Sequence, residues 1–270
     1  MVRVLDLYCG MGGLSLGVAL ALGSAKVHGF DIDPKAVATY NLNLNKFGCR
    51  AEVADLLSWE PSREYDIVVG GSPCQPFSIA NTIRVGEKHP LFPTFRRYFE
   101  LVRAVRPSAF VLENVKGLLT RRFRPLLEEQ LGSLVADYRI RRAVLNAAHY
   151  GVPQKRERLI VVGVRKDIGS IPAIPAQTHS EAESLTLTRR LFRWLTVREA
   201  IGDLLEDPPV IVHKGHSGGR KITMISDGPS FSVGTMSGGG RSRTTIYLLV
   251  FGSDTEKRVI EVPWTKYQDK

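Results

Sequence analysis

Over residues 1–165 short apolar runs alternate with longer amphipathic stretches, and this rhythm constrains the fold more than any other feature of the chain. Runs at 2–7, 26–32, 65–69, 109–112, 139–145 and 159–164 have the length and apolar character of buried strands, and 51–54 adds another strand end. Between them 14–22, 34–44, 92–105 and 125–135 carry helical spacing, and Pro34 suits a first helical turn. Strands that alternate with helices build a mostly parallel sheet covered on both faces. The expected fold class is therefore α/β, a doubly wound, mostly parallel sheet. In such sheets ligands bind beyond the carboxyl ends of the strands.

After residue 166 the character changes. Proline and serine rise over 168–184, an amphipathic helix is expected over 196–205, and glycine-rich basic loops follow at 213–221 and 237–243. The chain thus reads as two parts, a sheet-bearing domain over 1–166 and a smaller C-terminal lobe over 167–270. No window of about 18 consecutive apolar residues suggests a membrane span. The first apolar stretch is short and contains Asp6, unlike a signal peptide. Together these give an expected cytoplasmic location.

Lys and Arg number 37 against 27 Asp and Glu, a net charge of +10. That excess suits a polyanionic partner such as nucleic acid, and equally an ordinary basic surface. The three cysteines, Cys9, Cys49 and Cys74, cannot all pair within one chain, and no C-x-x-C spacing points to a metal.

Three segments carry chemistry. The first apolar run leads into Asp6-Leu7-Tyr8-Cys9-Gly10-Met11-Gly12-Gly13, a glycine turn where backbone can approach a ligand closely. Asp6, at the strand end, can anchor the loop or a cationic group. About 20 residues beyond the glycine loop lie Asp31 and Asp33; an acid there suits a ribose diol or a helix cap, and we assign Asp31 to the ribose and Asp33 to the cap. Asp55, at a third strand end, can accept from an adenine amino group. A glycine loop with successive acids fits an adenosine-containing cofactor and does not separate dinucleotides from S-adenosylmethionine. The third segment is Gly70-Gly71-Ser72-Pro73-Cys74-Gln75-Pro76-Phe77-Ser78. A cysteine leaving a strand end would face the ligand crevice, with prolines stiffening the turn around it.

This last run resembles the Pro-Cys-Gln block of the cytosine-C5 DNA methyltransferases. Phe110-Val111-Leu112-Glu113-Asn114-Val115 resembles their Glu-Asn-Val block, and Gln154-Lys155-Arg156-Glu157-Arg158 their Gln-x-Arg-x-Arg block. The glycine loop and the stretch from Asp31 through Tyr40 to Asn43 are similar to the family's cofactor blocks. The resemblance covers roughly residues 1–166. It implies a sheet of the S-adenosylmethionine-dependent methyltransferase type. It implies cofactor contacts from Asp6, Tyr8, Gly10, Met11, Gly12, Gly13, Asp31, Ile32, Asp55, Leu56 and Pro73. Cys74, Glu113, Arg156 and Arg158 are the implied catalytic residues.

The implied chemistry explains why these residues belong together. Carbon 5 of cytosine is a poor nucleophile until a thiolate adds at C6. Glu113 can neutralise N3, and Arg156 or Arg158 can hydrogen-bond O2, with Arg158 the better match. An ion pair across the sheet is the alternative role for Glu113 and Arg158. A base inside duplex DNA must be flipped out to reach such a site. Residues 78–90 read as a lid over it, and Gln75, Ser78, Arg84 and Lys88, with Arg241 and Arg243 further on, are the expected nucleic-acid contacts. Asn81 stands where the family usually has glycine, and Lys88 where arginine is common.

The expected partner is double-stranded DNA, in a restriction–modification setting. A tRNA cytosine and a non-catalytic nucleic-acid-binding subunit are the alternatives. The family's later Gly-Asn-x-Val-Pro block is not found, and a second polypeptide carrying the remaining blocks is an expectation, beside a truncated or divergent end.

Overall fold

The structure, a computed structural model, describes residues 1–62, 64–77, 86–186, 188–196 and 199–200, together with the strands at 230–231, 246–250 and 258–262. The chain divides into two compact units. One comprises Met1–Val144, Arg158–Ile174 and Arg243–Lys270; the other comprises Leu145–Glu157 and Pro175–Ser242.

The first unit is built on β1 (Arg3–Leu7), α1 (Gly13–Leu22), β2 (Lys26–Asp31), α2 (Pro34–Leu44), β3 (Cys49–Val53) and β4 (Ile67–Gly70). It continues with α3 (Phe92–Val105), β5 (Ala109–Asn114), α4 (Arg124–Gly132), β6 (Tyr138–Asn146) and, after the short β7 (Gln154–Lys155), with β8 (Glu157–Arg165). Seven strands form one sheet in the order β3-β2-β1-β4-β5-β8-β6. Strands β1 to β5 pair in parallel, and β8 runs antiparallel to β5. The doubly wound, mostly parallel sheet expected from the sequence is thus found.

Alternation along each strand sorts the side chains into two cores. In β1, Val4 joins Val27, Val37, Tyr40, Leu44 and Val69 beneath α1 and α2. Leu5 and Leu7 instead join Phe95, Phe99, Leu112 and Leu127 beneath α3 and α4. Asp6, between them, shares Val4's face by the period-two rule, and it is fully buried there. Helix α2 starts as expected: Pro34 follows Asp33, whose carboxylate accepts from the Lys35 amide at 2.8 Å.

Most element boundaries shift by one to three residues from the sequence reading, and two of the shifts have a clear cause. The strand expected over 65–69 is Ile67–Gly70, because Asp66 is engaged outside the ladder: its carboxylate accepts from the Arg3 amide, and its carbonyl from the Ser108 amide. The helix expected over 125–135 ends at Gly132, where the Leu134 and Tyr138 amides turn back to Leu131 and Leu134.

In the other unit β9 (His179–Ser180), β10 (Ser184–Leu185) and β11 (Arg190–Arg193) form a three-stranded sheet, and β12 (Ser230–Phe231) pairs in parallel with β7. The helix expected over 196–205 begins with a capping box. The Thr196 hydroxyl accepts from the Glu199 amide at 3.1 Å, and Glu199 accepts from the Thr196 amide at 2.8 Å. The remainder of that helix and the loops at 213–221 and 237–243 lie outside the described residues. Strands β13 (Ile246–Val250) and β14 (Arg258–Val262) pair antiparallel, in the range of the first unit. Among the described residues no helix is long and apolar enough to cross a membrane.

Candidate active site at the switch point of the sheet

The chain winds outward from β1 through β2 to β3, then resumes at β4 on the other side of β1. The point where strand order reverses lies between β1 and β4, the place where sheets of this kind carry their ligand crevice. Leu7 pairs with Gly70 at that edge. The glycine loop leaves one strand and the Pro-Cys-Gln run leaves the other, so the two motifs start from neighbouring strand ends.

The glycine loop is held in a fixed shape. Tyr8 takes φ 59°, Gly10 52° and Gly12 93°. At Gly12 a side chain would collide with Leu44 and Tyr40, so glycine is required for packing as well as for its dihedral. Asp31 fastens the loop: one carboxylate oxygen accepts from the Gly10 amide at 2.8 Å, the other from the Asp33 amide at 2.9 Å. The Tyr8 hydroxyl donates to the Thr94 carbonyl at 3.0 Å, and burial pushes its pKa up.

Asp6 lies beneath the loop. It accepts from the Ser15 hydroxyl at 2.6 Å, which in turn accepts from Tyr40 at 2.6 Å, while its other oxygen has no partner among the described residues. Burial pushes its carboxyl up to about 7, against the lowering effect of Ser15. Ser15 was not singled out from the sequence, where Tyr40 entered only as part of a cofactor-block stretch; a buried acid beneath a helix asks for such donors.

The surface in front of the loop suits an adenosine-containing cofactor. Nothing lies within 4 Å of where a side chain would project from Gly10 or Gly13. Met11 and Ile32 are exposed apolar side chains at the same strand ends, 46% and 66% accessible. They would cover a purine or an aliphatic tail well. Asp55 is exposed and accepts from the Leu57 amide at 3.0 Å, while Leu56 is buried. The carbonyls of Leu56 and Trp59 accept from Arg97, at 2.9 and 2.6 Å, which ties this corner to α3.

On the other side of the crevice, Ser72, Pro73 and Cys74 leave β4. Cys74 is half-buried, whereas Cys9 and Cys49 are buried. Asn114, fully buried at the end of β5, donates to the Ser72 carbonyl at 3.0 Å and lies 3.1 Å from its hydroxyl. Its side-chain Oδ1 accepts from the Val115 amide at 2.8 Å. Asn114 thereby fixes the turn two residues ahead of Cys74, a role sequence reasoning did not assign. Its signal was the amide itself, a side chain that needs partners wherever it is buried. Beyond Cys74, the Phe77 amide donates to the Cys74 carbonyl at 3.0 Å.

Glu113, next to Asn114, reaches the same edge. Its carboxylate lies 3.0 Å from Nε of Arg158, on β8, and a side chain at Gly71 would meet Glu113 at 3.2 Å. The ion pair named as an alternative for Glu113 and Arg158 is therefore present. Both side chains keep about a quarter of their surface exposed, 26% and 22%, so the pair is open to solvent. Of the remaining expected site residues, Gln75 and Lys88 are exposed in short turns, at Gln75–Phe77 and Gly86–Lys88. Arg156 belongs to the other unit, where its amide donates to Asn146 at 3.1 Å. Ser78, Arg84, Arg241 and Arg243 lie outside the described residues. Among the described residues no group of three or more His, Cys, Asp or Glu could hold a metal.

Comparison with known proteins yields consistent matches. The family described as C-5 cytosine-specific DNA methylase matches residues 2–230. The Type II methyltransferase M.HgiCII of Herpetosiphon aurantiacus is 35% identical over 182 residues, 67% of this chain and 41% of the relative. M.BspRI of Lysinibacillus sphaericus is 35% identical over 237 residues, 76% of this chain and 53% of the relative. This chain thus spans about half the length of these relatives. A solved E. coli structure described as a DNA modification methyltransferase encoded within a prophage shares the fold, with TM-score 0.58 and 23% identity, over 84% of this chain and 62% of that one. None of these matches supports the expected second polypeptide.

Proposed function

The chain belongs to the C-5 cytosine-specific DNA methylase family, and from that premise we propose that it transfers a methyl group from S-adenosylmethionine to C5 of cytosine in duplex DNA, as part of a restriction–modification system. The observation that carries this reading is the convergence at the strand ends. Glu113, paired at 3.0 Å with Arg158, lies against Gly71, three residues ahead of Cys74.

In this reading a cytosine swings out of the duplex into the crevice. The Cys74 thiolate forms a bond to C6 as the C5–C6 π electrons shift onto the ring; Arg158 donates a hydrogen bond to O2, and Glu113, having first taken up a proton from solvent, shares it with N3 and recovers it when the ring is restored. Arg158 can serve only if its guanidinium is aimed, and Glu113 holds its Nε. When bound, S-adenosylmethionine supplies the electrophilic methyl group that C5 takes up. A base then removes the C5 proton, the C6–sulfur bond breaks and the thiolate is restored. The Gly10–Gly13 face, Asp31 on the ribose and Asp55 on the adenine amino group would hold the cofactor, with Met11 and Ile32 covering it. Residues 1–166 would form the catalytic part, and 167–270 would contribute to target recognition or partner docking. Nothing in this chemistry needs a metal or a membrane, and the expected setting is the cytoplasm.

The test is covalent trapping. A duplex containing 5-fluorocytosine, incubated with the chain and S-adenosylmethionine, should yield an adduct stable to denaturation, because fluorine blocks the final proton removal. A methyl label should pass to DNA and not to tRNA. Absence of the adduct, or transfer to tRNA alone, would overturn the proposal.

A further inference from the structure

The segment that follows Glu113 has a surface the proposed chemistry does not use. From Lys116 to Leu127 the chain has four cations, Lys116, Arg121, Arg122 and Arg124, and no carboxylate. All four are exposed. Aromatic packing holds this segment against the turn that follows Cys74. A side chain at Gly117 would collide with the Phe77 carbonyl. The Phe77 ring meets Phe123 edge-on at 5.3 Å and Phe92 at 5.9 Å. Phe77 in turn bonds to the Cys74 carbonyl through its amide. The cations are therefore fixed to the same rigid cluster as the nucleophile's loop.

Lys88 and Arg96 extend the surface. Together with Arg122 they line a groove whose floor is formed by Phe92 and Phe123. Arg124 pairs with Glu128, which also holds Arg142, and Arg96 pairs with Glu129. Arg121 has no ion-pair partner among the described residues. Exposed pairs of this kind contribute little to stability, so the fold does not explain the concentration of arginine. A guanidinium fork matches phosphate oxygens.

We infer that this basic face, centred on Arg121, Arg122 and Arg124 with Lys116, Lys88 and Arg96 at its margins, grips the sugar–phosphate backbone of duplex DNA on the side from which Cys74 is approached. The contact is independent of base sequence and serves to set the position of the duplex. It deepens the methyltransferase reading and rests on it for the identity of the duplex as substrate.

The experiment measures the affinity of the full chain for a random-sequence duplex of about 30 base pairs across a salt series. Each lost phosphate contact lowers the slope of log affinity against log salt by about one. The variant R121A/R122A should flatten the slope by about two, R121E/R122E should weaken binding further, and R121K/R122K should keep the slope. Unchanged S-adenosylmethionine affinity in each variant reports an intact fold. A slope and affinity equal to the parent's in R121A/R122A and R121E/R122E would overturn the inference. The two readings fail separately. A parent that traps 5-fluorocytosine while its charge variants bind DNA unchanged sinks only the basic face. A parent that forms no adduct, with a flattened slope in R121A/R122A, sinks the methyltransferase reading and leaves the face as a DNA contact.

Discussion

Strands β1 and β4 lie side by side and run in the same direction, and each is followed within four residues by a cysteine, yet the two thiols meet opposite surroundings. Cys9 is turned into the core against Gly29, with the carboxylates of Asp6 and Asp31 nearby. Burial first, and those charges second, push its pKa upward and keep it a neutral thiol. Cys74 leaves its strand between two prolines and is half-buried, on the side where the strand-end acid, Glu113, is occupied by Arg158. The difference teaches that a cysteine in a strand-end loop is not thereby reactive. The half of the crevice rich in acids suits a cationic, hydroxyl-bearing cofactor and suppresses a thiolate. The other half holds its acid in an ion pair and keeps its cysteine half-buried, the setting the proposed nucleophile requires.

The sharpest way to break this contrast is to exchange the fates of the thiols. Cys74→Ala should lower methyl transfer by at least about 10⁴-fold, as loss of a covalent nucleophile does, while S-adenosylmethionine still binds. Cys9→Ala should keep turnover within a few-fold. Tritiated methyl transfer and equilibrium binding check both, and substantial turnover in Cys74→Ala would refute the assignment.

The next effect concerns the acid-rich half. Asp6 is held near pH 7 in the fold by burial, whereas in the unfolded chain it ionises at an ordinary carboxylate value. Between about pH 4 and about pH 7 the folded state therefore carries the extra proton. Asp6's contribution to stability falls as pH rises through that window, by at most about 4 kcal/mol, and levels off above it. Asp6→Asn keeps an acceptor for Ser15 and should remove the slope. Urea midpoints at pH 5 and pH 8 for parent and variant measure it; parallel curves would show that Asp6 does not titrate there.

Asp31→Ala should weaken S-adenosylmethionine binding by roughly 1–3 kcal/mol, since a charged acceptor is lost and the Gly10 amide is released. Calorimetric titration reads it, and an unchanged Kd would remove Asp31 from the cofactor site. On the opposite side, Asn114→Ala leaves the Ser72 carbonyl without its side-chain donor and should destabilise the fold by about 1–2 kcal/mol. It should also slow 5-fluorocytosine trapping more than it weakens cofactor binding. Equal losses in the two would make Asn114 a purely structural residue.

The sequence made the strand–helix alternation legible, because periods of 2.0 and 3.6 are local properties. It also singled out Cys74, Glu113 and Arg158 as candidates, through blocks that stand in family order. It did not expose what joins distant segments. Asn114 and Ser72 are 42 positions apart, and no local pattern announces their pairing. Nor did it separate Asp6 from Asp31 in kind. Both are acids at strand ends, yet strand alternation buries one beneath α1 and leaves the other at the edge. The end of the 65–69 run was misjudged by the same logic, since Asp66 breaks the ladder through bonds to Arg3 and Ser108 that lie far from it in sequence.

Tyr8 takes a left-handed backbone conformation although it is not glycine. That conformation costs roughly 1–2 kcal/mol, and the chain sustains it because the phenol is anchored to Thr94 on α3. The loop is thus preorganised: its ordering entropy is spent during folding and not when a ligand arrives. Hydrogen–deuterium exchange at Cys9 and Gly12, whose amides bond to Phe30 and Cys9, should accordingly be as slow without ligand as in the surrounding strands.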